Sequence, residues 1–209
     1  GLDMKLIAST TSPFARKVRM LVLEKGASDA VEVIHVDPWA APEMLTARNP
    51  LSQVPTLILD DHRVIVDSDV IGECLDRWLE GPRLIPASGD AYWHVRVVQS
   101  LANGLLEASI AVFIETRRRP DSLRWDQWTG FQQASIGRTL DVFEEQSGRF
   151  AEGFDYAAIC VVAALGHLEF RGTAGEWRRG RPQLAAWFDQ IQSRPSVRET
   201  LPVEPPAGT

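Results

Sequence analysis

The hydrophobic pattern changes period near residue 90, and that change divides the chain. Before it, short apolar runs alternate with amphipathic stretches; after it, every apolar stretch repeats at helical spacing. Met4-Lys5-Leu6-Ile7-Ala8 reads as a strand, and the spacing of Phe14, Val18, Leu21 and Val22 predicts a helix over 13–25 that stops at Gly26. Arg16, Lys17, Glu24 and Lys25 fall mostly on the other face of that helix. Residues 31–36 read as a second strand and 42–48 as a short helix or irregular turn. Strands over 56–59 and 64–66 flank Asp60-Asp61-His62-Arg63 as an antiparallel hairpin, and a helix over 68–79 follows. A strand–helix–strand unit implies a right-handed parallel crossover, so the expected product is a four-stranded mixed sheet with helices on its faces.

Gly81-Pro82 and Pro86-Ala87-Ser88-Gly89 punctuate a linker, after which helices are expected over 90–117, 121–147, 155–171 and 182–193, with a short turn at 196–199. Residues 159–168 are apolar almost all round, which predicts a buried central helix capped by Asp155. The fold class is therefore α/β plus all-α, with domains over 4–82 and 88–203 and a loose tail over 202–209. A net charge of −6 argues against nucleic acid as a main partner. No apolar run is read as reaching membrane-spanning length, so no membrane partner is expected. Cys74 and Cys160 stand alone in apolar helical patterns and read as buried reduced thiols, which points to a cytoplasmic compartment. His35, His62, His94 and His167 lack metal-ligand spacing, no metal is expected, and neither a Ser-His-Asp set nor a glycine-rich phosphate loop is visible.

Three short strings carry chemistry. Ser12-Pro13 places a favoured N-cap hydroxyl at the start of the first helix, with Pro where no N–H is needed. Asn49-Pro50-Leu51-Ser52-Gln53-Val54-Pro55 precedes a strand, and Asp67-Ser68 precedes a helix whose N–H groups suit an anion. Arg117-Arg118-Arg119 at a helix end, and Trp177, Arg178, Arg179 and Arg181, read as solvated surface.

These strings, with Thr11 to Arg19 and Arg194-Pro195-Ser196-Val197, resemble the glutathione transferase superfamily over nearly the whole chain, most closely its bacterial serine-type members. The resemblance implies a thioredoxin-like N-terminal domain, an all-helical C-terminal domain, a homodimer, and glutathione as co-substrate in detoxification of small, mostly hydrophobic electrophiles. It implies that Ser12 donates to the glutathione thiolate, with Thr11 as the alternative donor. It makes Val54–Pro55 cis, with the Val54 N–H and C=O pairing with the peptide as a strand edge would. Ser68 and the helix start would receive the γ-glutamyl carboxylate, Asp67 its ammonium, and Gln53 the glycine end. Phe14 and Pro55 belong to the same glutathione-binding set, and the electrophile would sit near Phe14, Ile110 and Phe113. Two positions depart from the pattern: Asn103 stands where many relatives carry aspartate, and Ala158 leaves Asp155 to cap its helix alone.

The energetics fit that role. A thiol of pKa about 8.5 is mostly protonated near neutrality, and lowering it by about two units requires about 2.7 kcal/mol. A helix N-terminus supplies about 0.3–1 kcal/mol and a hydrogen bond to a charged group about 1.5–3 kcal/mol, so the two together suffice. A serine at position 12 favours conjugation over disulfide exchange, since no protein thiol is present there. A non-catalytic binding or regulatory protein of the stringent-starvation type, or a glutathione-dependent peroxidase, is the alternative reading.

Overall fold

β1 (Met4–Ala8) buries every residue except Lys5, as expected of a strand covered on both faces. The computed structural model, which describes residues 3–207, places it inside a four-stranded sheet, between the strands Val31–His35 and Thr56–Ile58, with Val64–Val66 beyond the latter. β2 (Val31–His35) runs parallel to β1, β3 (Thr56–Ile58) antiparallel to β1, and β4 (Val64–Val66) antiparallel to β3. The expected mixed sheet of one crossover and one hairpin is the sheet observed. α1 (Pro13–Glu24) joins β1 to β2, α2 (Glu43–Thr46) is a single turn ahead of β3, and α3 (Ser68–Trp78) follows β4. α1 and α3 pack on each other, and Val18, Leu21 and Val22 of α1 and Ile71 and Leu75 of α3 are buried.

The polar face of α1 is not a solvent face. Arg16, Lys17 and Lys25 are 3%, 0% and 5% exposed. α3 covers one side of that face with two carboxylates: Lys17 Nζ lies 2.9 Å from Asp69 Oδ1, and Lys25 Nζ 3.0 Å from Asp76 Oδ1. Asp76 also accepts the Leu84 and Ile85 N–H groups at 2.9 and 3.0 Å, which ties down the segment after α3.

The chain divides into two compact units: residues up to Ile85 together with those from Arg194 onward, and Pro86–Ser193. The expected helical domain runs to 203 with a loose tail over 202–209; the segment from Arg194 groups instead with the first unit. There α8 (Pro195–Arg198) packs on α1, and the Val203 N–H donates to the Thr10 carbonyl at 3.0 Å. No local pattern announces this, because the partners are more than 180 positions away.

In the second unit α4 (Gly89–Phe113) packs on α5 (Asp126–Phe150) and α6 (Tyr156–Arg171), and α7 (Pro182–Ile191) packs on α5. α6 is buried from Tyr156 to Leu168, and the Asp155 carboxylate accepts the Ala158 N–H at 3.0 Å, so the central helix and its cap are as expected. α5 starts at Asp126 rather than 121: Asp121–Leu123 forms a separate 3-10 turn, and Arg124 and Trp125 are extended, with the Trp125 N–H donating to Glu115 Oε1 at 2.9 Å. α4 runs on through a π turn, Ile114–Arg118, and the helix over 89–118 is long and apolar enough, by length and composition, to cross a membrane. That corrects the expectation of no such run; Val95, Val98, Ala102, Leu105 and Val112 are buried within the helical unit, as in a core helix. In the Trp177–Arg181 stretch Arg179 is exposed, as expected of surface, whereas Trp177 is buried; Arg178 bridges Glu169 and Asp189, and Arg181 reaches Asp141. Cys160 is buried as expected, whereas Cys74 is only half-buried.

Candidate functional site

Strand register brings the three strings together. Ile7 of β1 pairs with Thr56 of β3, and Thr56 pairs with Val66 of β4. The residues after Ile7, before Thr56 and after Val66 therefore leave the sheet at one edge, on neighbouring strands about 4.8 Å apart. Those residues are the Ser9–Ser12 loop, Gln53-Val54-Pro55 and Asp67-Ser68. Three stretches separated by up to 60 positions in sequence thus share one end of the first unit.

Ser12 caps α1. It has extended backbone angles, and its Oγ accepts the Ala15 N–H at 3.1 Å while Pro13 begins the helix. A hydroxyl has one proton and two lone pairs, so capping engages a lone pair and leaves the proton to donate elsewhere. The Ser12 N–H donates to Ser9 Oγ at 3.1 Å, which holds the loop against the helix start. Ser12 and Thr11 are both half-buried. Phe14 is half-buried too, with the Lys17 ammonium 5.3 Å from its ring centroid.

The Val54–Pro55 peptide bond is cis. Gln53 is exposed, and its own carbonyl is held from within, accepting from Asn49 Nδ2 at 3.0 Å and Thr56 Oγ1 at 2.9 Å. Asn49 is 1% exposed and also accepts the Leu51 N–H and donates to Thr56 Oγ1, both at 3.0 Å. It is the scaffold of this loop, a role that sequence reading missed. Its signal was an amide-bearing residue four positions ahead of Gln53, within reach of a side chain that can bridge a turn.

Asp67 caps α3 from a left-handed backbone, φ +74°, which non-glycine residues adopt rarely and mostly where the surrounding structure compels it. Its Oδ1 accepts the Asp69 and Val70 N–H groups at 2.9 and 3.2 Å. Two donors expected to receive a ligand carboxylate are therefore already engaged, and a carboxylate arriving there competes with Asp67 for them. Ser68 is 5% exposed. Among the described residues no group of three His, Cys, Asp or Glu side chains could hold a metal ion.

Comparison with known proteins gives a consistent picture. The family model described as glutathione S-transferase, N-terminal domain, matches residues 11–78, and that for the C-terminal domain matches residues 102–190. The uncharacterized GST-like protein YibF of Escherichia coli K12 is 32% identical over 95% of this chain and 98% of its own length. A crystal structure of a glutathione transferase family member from Pseudomonas fluorescens Pf-5, with bound glutathione, is 38% identical, covers 97% of this chain and 100% of its own, and superimposes with a TM-score of 0.92. A glutathione S-transferase from Methylobacillus flagellatus KT, also with glutathione bound, is 34% identical over 96% of this chain and 100% of its own, with a TM-score of 0.89.

Proposed function

The chain belongs to the glutathione S-transferase family, and from that membership we propose that it binds glutathione at the shared strand edge of the first unit and adds its thiolate to small apolar electrophiles. The observation that carries this reading is the Ser12 hydroxyl, which caps α1 through a lone pair and keeps its proton for a neighbouring anion. The thiol proton leaves to solvent, Ser12 donates to the sulfur, and the α1 N-terminus adds its partial positive charge. The sulfur lone pair then forms the C–S bond, and the electrophile releases its leaving group or takes up a proton on carbon. Val54 pairs its main chain with the peptide, Gln53 faces the glycine end, and Ser68 receives the γ-glutamyl carboxylate. Asp67 offers Oδ2 to the ligand ammonium, since Oδ1 is engaged in capping. Phe14 borders the electrophile.

A homodimer and a cytoplasmic, detoxifying role belong to the same proposal and rest on family likeness. Trp93 and Val97, one turn apart on α4, are 64% and 55% exposed and are apolar surface that a second copy would cover.

The deciding experiment is calorimetry of glutathione with the wild type and Ser12→Ala, with thiolate absorbance followed against pH. Binding with a depressed thiol pKa that rises in Ser12→Ala supports an enzyme. Binding with an unchanged pKa in the mutant moves the donor to Thr11. No binding by the wild type overturns the enzymatic reading in favour of a non-catalytic protein of this fold.

A further inference from the structure

α1 carries more positive charge than its surroundings neutralise. Lys17 is paired with Asp69, its cap residue Lys25 with Asp76, and Glu24 with Arg194. Arg16 and Arg19 are left over, with no carboxylate partner among the described residues. Arg16 is 3% exposed, yet its guanidinium meets only neutral oxygens: Nε donates to Thr200 Oγ1 at 3.2 Å and Nη2 to the Val197 carbonyl at 3.1 Å. Arg19 reaches only the Glu199 carbonyl, at 3.5 Å. Burial, reinforced by the Arg19 charge, brings the Arg16 pKa down to about 10.

A buried cation without a counterion is costly, and its location matters. The Arg16 N–H donates to the Ser12 carbonyl at 3.0 Å, so Arg16 sits one turn, a rise of about 6 Å, below the cap. Helical side chains lean in general toward the N-terminus, and here the guanidinium is held beside α1 by Val197 and Thr200 of the C-terminal segment. The Val203 N–H on the Thr10 carbonyl brings the C-terminal segment to the same end. The other charged groups on the packed elements do not cancel it. α3 presents Asp69 and Asp76, both committed to lysines. On the C-terminal segment Arg194 is committed to Glu24, and Arg198, Glu199 and Glu204 are exposed. On β2, burial and the Arg19 charge hold His35 below its ordinary pKa and so toward neutral.

We propose that Arg16 is an electrostatic positioning residue of the glutathione site: its buried, unneutralised guanidinium stabilises the thiolate formed beside Ser12, and the C-terminal segment holds it with neutral acceptors only. This rests on the thiolate-forming function proposed above. A unit charge about 10 Å from an acid, at an effective dielectric near 20, changes its ionisation roughly tenfold.

The test places a counterion without removing the arginine. Thr200→Asp sets a carboxylate against the guanidinium, Thr200→Asn gives a neutral side chain of the same shape, and Arg16→Gln and Arg16→Lys remove and keep the charge. Glutathione affinity is measured first by calorimetry, then the bound thiol is titrated by thiolate absorbance. The expected result is a rise of about one pKa unit in Thr200→Asp and Arg16→Gln, with Thr200→Asn and Arg16→Lys close to wild type. Equal titrations for Thr200→Asp and Thr200→Asn overturn the proposal while the enzymatic reading stands, whether or not Arg16→Gln folds. Failure of the wild type to bind glutathione overturns both.

Discussion

At the scale of the residue, Ser12 has two duties that substitution can separate. Ser12→Asp keeps an oxygen for the Ala15 N–H and so keeps the cap, but it sets a negative charge where the thiolate forms. Its urea midpoint should stay near wild type while the bound thiol pKa rises above that of free glutathione; Ser12→Ala should in addition lose about 1 kcal/mol of stability. An unchanged thiol pKa in Ser12→Asp would show that the thiolate lies elsewhere. Asn49 opens the string that ends at Pro55, yet its function as the scaffold of the Gln53 loop depends on a backbone path that only the folded chain displays. Asn49→Ala should cost about 1–2 kcal/mol in chemical unfolding, because it removes the hydrogen bonds to Leu51, Gln53 and Thr56 that hold the loop.

At the scale of the element, α1 and α3 were legible from their caps and apolar spacing, and their contact was not. Helical periodicity assigned Lys17 to a polar face; the tertiary contact turned that face inward onto Asp69. Removing one partner of a buried pair costs about 3–5 kcal/mol, so Lys17→Met should be strongly destabilised and Lys17→Met with Asp69→Leu should recover most of the loss, as read by urea unfolding. A second element contact joins α4 to α6. Ser109 Oγ lies 2.7 Å from His167 Nδ1 and 2.6 Å from Thr173 Oγ1. Burial, and then the Arg171 charge, lower the His167 pKa from 6.5 to about 4. Between those values the unfolded chain binds more protons than the folded one, so stability rises with pH through that window and is flat above it. Acidification should therefore remove up to about 3 kcal/mol as pH falls through the window, and His167→Gln should flatten that slope in urea titrations at each pH.

At the scale of the whole molecule, the two units are built from a discontinuous chain, since residues from Arg194 onward return to the first. Deleting 194–209 removes the acceptors of the buried Arg16 and the contact at Thr10. The expected outcome is a lower melting temperature and loss of glutathione affinity, checked by calorimetry; a truncated protein with wild-type affinity would show that the segment does not support the site. The sequence by itself determined the strand and helix order, the capped helix starts and the family likeness, because periodicity, Pro and capping hydroxyls act over a few residues. Only the tertiary structure decided that three distant strings leave the sheet at one edge and that the polar face of α1 is buried. Those outcomes depend on strand register and on contacts across more than 50 positions, where no local pattern constrains which face meets which partner.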